Sequence, residues 1–319
     1  MNKLHLLIIG SNFGKIHLNS SLKSRKFKSI SIVSPNIHDK KIPKKVIKYN
    51  NFKFAIKNSK IDMLTIATKP KIQHEVLLFI YKEKIFPKFI FLEKPLLDRS
   101  VKIIKKFPKK CRILTNFIFT FDSKWKYFIK KTNINKLDNI FEYNWFFKQA
   151  YFDNKKITWK IDTSQGGGLI NYYLPHAIFN ILNIFNNLKL SKINKKIFYN
   201  DILIYLELIF QHNGKKSILK IGNKSKNTLH KFKITNTSNN NNYEIINCTK
   251  NWLSKFKILK NSSEIKKLKK QTISSDSREE VLKKVYSNLK LFFLSKYVDT
   301  NKSLTYKTFK LIKIVNSKI

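Results

Sequence analysis

The sequence LHLLIIGSNFGKIH, residues 4–17, places a short apolar run directly before two closely spaced glycines. An apolar run such as 4–9 is typical of a strand that is buried on both faces, as in a parallel sheet. The segment Gly10-Ser11-Asn12-Phe13-Gly14 then lies where a helix should begin. Strand, glycine turn and helix N-terminus in this order suit a dinucleotide pyrophosphate, because the backbone approaches closely and N–H groups face the phosphates.

This stretch matches the usual dinucleotide pattern G-x-G-x-x-G only in part. Asn12 occupies the position where a second glycine is expected, and the spacing to Gly14 is one residue shorter. Because asparagine tolerates left-handed backbone angles better than most residues, we expect Asn12 to preserve the turn. An ordinary strand–turn–helix corner without a ligand is the alternative interpretation, and the motif alone favours neither.

Outward from this stretch, apolar runs alternate with segments of helical periodicity as far as residue 118. Strands are predicted at 27–33, 61–67, 89–92 and 112–117, and helices at 74–84 and 100–107. Alternation of this kind indicates right-handed crossovers and a parallel sheet. Residues 1–118 are therefore predicted to form an α/β Rossmann domain.

The pattern changes after residue 118. Strands are predicted at 139–147, 202–210, 217–221, 232–234 and 243–246, and helices at 169–185, 278–297 and 304–315. The dipeptide Asn213-Gly214 between two of these strands is a hairpin signal, which indicates antiparallel pairing. Residues 119–319 are therefore predicted to form an α+β domain with a mostly antiparallel open sheet, whose last helices could pack back on the first domain.

The formal net charge is +46, from 65 Lys and Arg residues against 19 Asp and Glu. Such a charge is typical of proteins that bind nucleic acid or anionic surfaces. Only four of the basic residues, however, are arginines, which bidentate phosphate and base contacts favour: Arg25, Arg99, Arg112 and Arg278. The lysines are spread along the whole chain, which indicates a bias toward A/T-rich codons. A nucleic-acid role is therefore the weakest interpretation, whereas the charge favours anionic small-molecule substrates.

Cysteine content and hydropathy exclude further classes. Cys111 and Cys248 cannot form a disulfide framework and lack metal-ligand spacing, so we expect a cytoplasmic protein with no metal. The N-terminus enters a strand almost at once, without the layout of a signal peptide. No apolar run approaches the ~18 residues that span a bilayer, so no membrane partner is expected.

Two polar motifs follow predicted strands of the first domain. Ala67-Thr68-Lys69-Pro70 and His74 follow one strand, and Glu93-Lys94-Pro95 follows the next. In an open parallel sheet, ligands bind outside the carboxyl ends of the strands. A lysine there can exchange a proton with a substrate oxygen while a hydride moves, provided that its pKa is lowered. A Pro-bounded loop and one more surface lysine are the structural alternatives.

A third motif lies in the second domain. Trp159 is followed by Gly166-Gly167-Gly168 and then by His176, in a chain that has only seven glycines. Three glycines in a row indicate either a flexible hinge or a close backbone approach beside a helix that aims His176 into a cleft.

Taken in order, the segments GSNFGKIH, DMLTIATKPKIQHE, FLEKPL and WKIDTSQGGGLINYYLPHAIF resemble the glucose–fructose oxidoreductase/inositol dehydrogenase (Gfo/Idh/MocA) family, over about residues 4–185. The resemblance implies a Rossmann domain and an open-sheet domain that often mediates homo-oligomerisation. It implies NAD(P)-dependent hydride transfer to or from a sugar or sugar-like alcohol or ketone.

The resemblance also implies roles for single residues. The residues that it implies at the cofactor pyrophosphate are Gly10, Ser11, Asn12, Phe13 and Gly14. Those implied beside the nicotinamide are Thr68, Pro70 and His74, and Glu93 is implied at the nicotinamide ribose. Lys94 is the implied catalytic lysine, with a Lys94–Pro95 bond that can be cis, and His176 is the implied substrate-binding or proton-relay histidine. The substrate set is Trp159, Asn171, Tyr172 and His176.

One departure concerns the chemistry. Many members of the family carry an aspartate four residues before the histidine, where this chain has Tyr172 beside Asn171. A tyrosine with an ordinary pKa near 10 is a poor base at neutral pH. The alternative function is therefore a non-catalytic protein on the same scaffold that senses a dinucleotide or a sugar.

The residues after the second strand bear on cofactor choice. A ribose-binding acid is expected about 20 residues past the glycines, but the chain has Ser34-Pro35-Asn36 there, with Asp39 and Lys40-Lys41 further on. Ser34 and the lysines would suit a 2′-phosphate, so NADP is slightly favoured over NAD. Lysines that are merely solvated would leave NAD equally open.

Overall fold

The computed structural model describes residues 4–34, 42–132, 138–154, 158–185, 187–250, 255–265 and 277–319. The strands are β1 (Leu4–Ile9), β2 (Phe27–Val33), β3 (Ile47–Tyr49), β4 (Met63–Ile66), β5 (Phe89–Glu93), β6 (Arg112–Asn116), β7 (Asn139–Lys148), β8 (Lys189–Tyr199), β9 (Ile202–His212), β10 (Lys215–Gly222), β11 (Lys224–Asn236), β12 (Asn242–Asn247), β13 (Lys257–Lys260) and β14 (Ser263–Glu264). The helices are α1 (Asn12–Ser24), α2 (Phe52–Asn58), α3 (Pro70–Lys82), α4 (Asp98–Lys105), α5 (Ser123–Thr132), α6 (Tyr151–Asn154), α7 (Leu174–Leu182), α8 (Ser277–Ser287) and α9 (Lys296–Asn316).

The chain divides into two compact units. The first unit comprises Met1–Ile118 and Arg278–Phe309, and the second comprises Phe119–Ser277 and Lys310–Ile319. Within the described ranges, no helix combines the length and the apolar character that a bilayer crossing requires.

The first unit is built on a parallel sheet of six strands in the order β3-β2-β1-β4-β5-β6. This is the strand order of dinucleotide-binding folds, with β1 at its centre. The central strands are buried along their length because their apolar runs are covered on both faces. The predicted α/β Rossmann domain is therefore confirmed, and its five long strands lie within a few residues of their predicted bounds.

Strand β3 and helix α2 were not expected from the sequence. β3 has only three residues, one of them a lysine, and its residues are exposed or half-buried. α2 has seven residues and buries only Ala55 and Ile56. Neither segment is long enough to show a periodicity, so only pairing with β2 and packing against α3 identify them.

The tail of the first unit differs from the expected two helices at 278–297 and 304–315. α8 ends at Ser287, a π-helical turn spans Lys290–Leu294, and α9 begins at Lys296. The break lies at Ser295, whose backbone is extended, with φ −95° and ψ 173°. The amphipathic pattern continues across this break, which is why periodicity alone placed it several residues too late.

Helix α9 protects the edge of the parallel sheet. The Asn301 side chain accepts from the backbone N–H of Thr115 at 2.9 Å and donates to the Thr115 carbonyl at 3.2 Å. Arg112, at the start of the same edge strand, pairs with Asp299 at 3.0 Å. The two Asn301 bonds satisfy backbone groups that an exposed edge would offer to another strand.

The second unit is built on a sheet of eight strands in the order β14-β13-β12-β11-β7-β10-β9-β8. All the neighbours are antiparallel except β7 and β10, which run parallel. The hairpin turn predicted at Asn213-Gly214 joins β9 to β10. The predicted mostly antiparallel sheet is thus confirmed.

Several elements of this unit depart from their expected form, among them β8 and the helix before Phe185. β8 was not predicted, because its eleven residues include four lysines and are nearly all exposed along the sheet edge. The helix expected at 169–185 begins as a π-helical turn, Leu169–Tyr173, and continues as α7 only to Leu182. Pro175 lies in the first turn of α7, where its missing N–H is tolerated.

An aromatic cluster forms part of the core of the second unit. Trp125 is fully buried, and its ring lies 5.5 Å from that of His230, which in turn stacks on Trp145 at 4.8 Å. The His230 Nε2 lies 2.7 Å from the hydroxyl of Tyr143. Burial lowers the pKa of His230 from its ordinary value of 6.5 to about 3, since a charged imidazole in this cluster would lose its hydration.

We predict that His230 makes the second unit sensitive to acid. The unfolded chain protonates this imidazole near pH 6.5 and the folded chain only near pH 3, so the unfolded state binds more protons between these values. The stability that the neutral His230 contributes is fully present above pH 6.5, and it is lost as the pH falls from 6.5 toward 3. Glutamine can still bond to Tyr143 but does not titrate. In His230→Gln, the slope of the unfolding free energy against pH should therefore fall by the equivalent of about one bound proton.

The measurement is denaturant unfolding at several pH values between 7 and 4, followed by tryptophan fluorescence. Identical pH dependence in the wild type and His230→Gln would mean that the pKa of His230 is the same in the folded and unfolded protein, which would contradict the lowered value.

Candidate functional site

The turn between β1 and α1 is set by a close backbone contact. Gly10 has a φ of +137°, and a Cβ atom at this position would lie 2.3 Å from the carbonyl oxygen of Ala67. The Gly10 N–H donates to Val33 at 3.0 Å, and the Ala67 N–H donates to Ile9 at 2.8 Å. The carboxyl ends of β1, β2 and β4 are therefore joined at a point where only glycine fits.

Helix α1 begins immediately after this turn with its first backbone N–H groups available. The Ser11 side chain makes no capping hydrogen bond, and the first turn carries no acidic residue. The first hydrogen bond of the helix is donated by the Lys15 N–H to the Ser11 carbonyl, at 3.0 Å. The N–H groups of residues 12–14 precede this bond and therefore point out of the helix end. Such an uncapped N-terminus suits an anionic phosphate.

The turn is preserved, as expected, but Asn12 does not need a left-handed backbone to preserve it. Asn12 is the first residue of α1, and the positive φ of this turn belongs to Gly10. The reason is the contact between Gly10 and Ala67, which completes the reversal before Asn12 is reached. The neighbouring Phe13 packs against the guanidinium of Arg278 at 5.1 Å.

The segment after β4 leads directly into α3. Thr68 is half-buried and its hydroxyl lies 3.3 Å from the Lys69 carbonyl, while Pro70 is the first residue of α3. Proline is favoured at this position because its missing N–H would have no partner in the helix. Thr68 and Pro70 thus lie at the same edge of the sheet as Gly10.

His74, one turn into α3, is nearly buried and contacts α4. Its Nδ1 lies 3.2 Å from the Ser100 hydroxyl. Burial lowers the pKa of His74, the positive charge of Arg99 lowers it further, and Glu75 partly opposes this. The imidazole is therefore neutral at pH 7, and its contact with Ser100 ties α3 to α4.

Five buried side chains form a continuous polar chain, here called the Glu93 network. The Glu93 carboxylate accepts from the Asn116 amide and, at 2.7 Å, from Nε2 of His17, both at Oε1. The His17 Nδ1 lies 2.8 Å from the Tyr286 hydroxyl, which lies 2.9 Å from the Thr65 hydroxyl. Burial raises the pKa of Tyr286, so its hydroxyl stays protonated. The network joins α1, β4, β5, β6 and α8.

Lys94 directly follows Glu93 and is half-buried. The Glu93 carbonyl, in the peptide that leads to Lys94, accepts from the Gln73 side-chain amide at 2.5 Å. The Lys94–Pro95 peptide bond is cis. The residue before the candidate catalytic lysine is thus held at both its side chain and its backbone.

Ser34 follows β2 and is buried, at 2% exposure. Its N–H donates to the Tyr49 carbonyl at 3.1 Å. Asp39, Lys40 and Lys41, which bear on cofactor choice, lie outside the described residues.

The three consecutive glycines of the second unit form a tightly packed loop. A Cβ atom on Gly167 would lie 2.1 Å from the Trp159 carbonyl oxygen. The Gly167 N–H donates to Asp162 at 2.8 Å, and the Gly168 N–H donates to Lys160 at 2.8 Å. The close approach is to the loop's own backbone, which shapes the chain leading to α7.

Two of the candidate substrate residues are brought together beside this loop. The rings of Trp159 and Tyr172 lie 5.3 Å apart in an edge-to-face arrangement. The Lys160 ammonium lies 5.5 Å from the Tyr172 ring centre, and Tyr173 contacts the same ring at 4.7 Å. Trp159 and Tyr172 are each half-buried. They form an aromatic pair of the kind that can pack on a sugar ring.

His176 lies in the first turn of α7 and is 3% exposed. Its ring contacts those of Phe119 at 5.2 Å and Trp145 at 6.1 Å. Aromatic packing therefore fixes the orientation of the imidazole.

Asn171 lies apart from the aromatic pair, in a cavity of about 370 Å³ within the second unit. Its side-chain oxygen accepts from the Asn316 amide at 2.9 Å. The cavity is lined by Tyr151, Ile161, Asp162, Thr163, Gly168, Leu169, Ile170, Asn171, Asp201, Ile202, Leu203 and Asn316. In the described part of the chain, Trp159, Tyr172 and His176 are not among its lining residues.

The predicted site residues thus fall into groups. Gly10, Thr68 and Glu93 lie at the carboxyl ends of the adjacent strands β1, β4 and β5. Convergence of Lys94 and His176 on one substrate stays a prediction. Among the described residues, no group of three or more His, Cys, Asp or Glu side chains could hold a metal ion.

Sequence reasoning missed the hydrogen-bond partners of Glu93, which are His17, Asn116 and Gln73, and it also missed Tyr286, which contacts His17. One signal was present, since His17 follows Gly14 by three residues and so lies within the first turns of α1. Asn116 and Tyr286 come from β6 and α8, and nothing in the sequence pairs them with Glu93.

The fold and the strand-end residues define a two-unit protein whose first unit is a dinucleotide-binding Rossmann domain. Residues 4–116 match the Gfo/Idh/MocA model, described as an oxidoreductase family with an NAD-binding Rossmann fold. The match covers about a third of the chain, within the first unit, and it confirms there the resemblance inferred from the motifs.

Solved structures similar to the chain extend over both units. The dehydrogenase MviM from Clostridium difficile has 14% identity and a TM-score of 0.69, with 99% of this chain and 100% of that chain covered. Myo-inositol 2-dehydrogenase from Lactobacillus plantarum has 15% identity and a TM-score of 0.70, with 99% and 97% covered. Levoglucosan dehydrogenase in complex with NADH and L-sorbose has 14% identity and a TM-score of 0.67, with 100% and 98% covered. At these identities the likeness shows a shared fold. No curated protein matches the sequence significantly.

We predict that the two glycines of the first motif differ in what they tolerate. Gly10→Ala should destabilise the protein by about 3 kcal/mol or more, because it combines an unfavourable positive φ with a backbone clash. Gly14→Ala should change stability by less than about 1 kcal/mol, since its Cβ would meet only Ile8 at an ordinary 3.6 Å. Denaturant unfolding of both variants is the measurement, and equal losses would contradict the assigned contact at Ala67.

Proposed function

We propose that the chain is an NAD(P)-dependent oxidoreductase that transfers a hydride between a nicotinamide cofactor and a sugar-like alcohol or ketone. The observation that carries this proposal is the alignment of Gly10, Thr68 and Glu93 at the carboxyl ends of three adjacent parallel strands. Ligands of open α/β sheets bind at this edge. The family match of residues 4–116 supports the same cofactor class.

The first unit fits a dinucleotide at the turn after β1. The uncapped N-terminus of α1 would hold the pyrophosphate through the N–H groups of residues 12–14, and Gly10 lets the chain turn away without a side chain. Thr68 and Pro70 would flank the nicotinamide end, and Glu93 would contact its ribose. When bound, the cofactor supplies a ring carbon that accepts or releases a hydride.

Lys94 and His176 are the proposed catalytic residues. Lys94 would transfer a proton to or from the substrate oxygen, which develops charge as the hydride moves. His176, held by Phe119 and Trp145, would bind the same substrate and relay protons. Trp159 and Tyr172 would pack against the sugar ring, and Asn171 would contribute polar contacts from the neighbouring cavity.

The substrate class is inferred from the site and from similar proteins. The aromatic pair Trp159–Tyr172 suits the apolar face of a sugar ring. Two of the similar structures are named as an inositol and a levoglucosan dehydrogenase. The chain has 65 basic residues against 19 acidic ones, and this positive charge favours an anionic derivative, such as a phosphorylated sugar.

A second candidate function is a non-catalytic sensor of dinucleotide or sugar. Tyr172 favours it, because the ring stands where many relatives have a carboxylate and is engaged by Trp159 and Lys160. The sensor would bind NAD(P)H without oxidising or reducing any member of a broad sugar panel.

Two further proposals concern the setting of the protein. We propose that copies of the chain associate through the second sheet, where Ile197, Phe198 and Tyr199 at the end of β8 are exposed. We also propose a cytoplasmic location, which suits the free thiols of Cys111 and Cys248.

We predict that the protein binds NADPH and NADH with micromolar affinity and prefers NADPH by a few-fold. The preference follows from Ser34 at the end of β2, because a serine, unlike the ribose-binding acid expected after this strand, does not repel a 2′-phosphate. Isothermal titration with both cofactors at two salt concentrations tests it. Tighter binding of NADH would overturn the NADP preference alone, and failure to bind either would overturn the proposed function.

We predict that Lys94→Ala lowers kcat by about 10²- to 10⁴-fold and changes cofactor affinity by less than about threefold. Lys94→Arg should not restore activity, because a guanidinium does not release its proton. Lys82→Ala, at an exposed lysine in the last turn of α3, is the matched control and should be fully active. Absorbance of the nicotinamide band with a panel of sugars measures turnover, and full activity of Lys94→Ala would exclude the assigned role.

A further inference from the structure

The Glu93 network places a carboxylate in a nearly closed environment, where a charge is costly unless donors surround it. Glu93 is 8% exposed, His17 is 1% exposed and Asn116 is 2% exposed. Removing an ion from water costs several kcal/mol, which hydrogen bonds with good geometry must offset. The bonds from His17 and Asn116 to Oε1 supply that compensation.

The chemistry of the carboxylate fixes the direction of these bonds. An ionised carboxylate only accepts, so the His17 Nε2 carries a hydrogen and donates it to Glu93. The Nδ1 atom faces the Tyr286 hydroxyl at 2.8 Å. A histidine held at both ring nitrogens has a defined orientation, as in carboxylate–histidine pairs that orient the groups of a site. His17 is therefore oriented toward Glu93 by a residue from α8.

The His17 bond has a consequence for Lys94, the residue that follows Glu93 at the end of β5. Glu93 is held through its side chain by His17 and through its carbonyl by Gln73, at 2.5 Å. Loss of the side-chain anchor would free Glu93 to rotate and would leave a buried charge with one fewer donor. Both effects displace the peptide that leads to Lys94.

We propose that His17 is a positioning residue, which holds the Glu93 carboxylate and thereby the Glu93–Lys94 segment in the orientation that binds the nicotinamide end of the cofactor. The proposal rests on the proposed function, because it requires the first unit to bind a nicotinamide cofactor. It assigns His17 no contact of its own with the cofactor or substrate. Tyr286 fixes the His17 ring and so links helix α8 to the edge of the sheet where the cofactor would bind.

The test uses two substitutions that separate hydrogen bonding from packing. In His17→Gln, the side-chain amide can reach the position of Nε2 and still donate to Glu93. In His17→Asn, the shorter amide reaches only the position of Nδ1 and faces Tyr286. Both variants lose the ring contacts of His17 with Phe13 and Phe91, which lie at 5.4 Å each.

The readout is NADPH and NADH affinity by isothermal titration, with thermal unfolding of each variant measured in parallel. We expect His17→Asn to weaken cofactor binding about tenfold and His17→Gln to stay within about threefold of the wild type. Glu93→Gln should weaken binding, and adding His17→Asn to it should bring less than about a twofold further loss, because both act through one bond.

Each outcome has one meaning. Equal affinities of His17→Asn and His17→Gln, or fully additive losses in the double variant, would overturn the positioning role. If the wild type binds neither cofactor, the proposed function itself fails. If His17→Asn does not fold, Tyr286→Phe removes a single oxygen from the network and should weaken binding about two- to fivefold. Unchanged affinity in that variant would overturn the proposal.

Discussion

The buried carboxylate of Glu93 constrains several elements of the first unit at once. A carboxylate at this depth is stable only when donors reach it from several directions. Its side-chain donors come from α1 and β6, and its backbone carbonyl is held from α3. Since α8 orients the α1 donor, four elements must be correctly placed around β5 before the charge is satisfied. The same arrangement sets the segment that carries Lys94.

The contact of Gly10 with Ala67 complements this charge network at the same edge of the sheet. The contact brings the ends of β1 and β4 together, and α1 starts within two residues of the turn. Because α1 begins there, His17 falls on the turn of the helix that faces β5. The glycine motif therefore serves two purposes, as it leaves the helix N-terminus open and sets the register that delivers His17 to Glu93.

Much of the first unit could be predicted from sequence because its long strands are uninterrupted apolar runs that end at glycine, proline or polar residues. Leu4–Ile9, Phe27–Val33 and Phe89–Glu93 were found within a residue of their bounds for this reason. The second unit was less accessible. β8 is exposed and rich in lysine, so only its pairing with β9 identifies it. β11 begins with five polar residues, and only its segment 232–234 was predicted. The site followed the same division. The motif residues were found, but Asn116, which contacts Glu93, and Tyr286, which contacts His17, were not, because both contacts form only in the folded chain.

The position of Tyr172 separates the two candidate functions on physical grounds. A carboxylate there would favour a charged histidine and could accept from a sugar hydroxyl, whereas the Tyr172 ring packs against Trp159 and takes the Lys160 ammonium at its face. Under the proposed function, the Trp159–Tyr172 pair would still pack on a sugar ring, while the carboxylate acceptor four residues before His176 is lost. Proton transfer would then depend more heavily on Lys94. An enzyme of this design needs the Glu93–Lys94 segment to be held firmly, which the buried donors of Glu93 accomplish, whereas a sensor without chemistry would have no use for an oriented lysine.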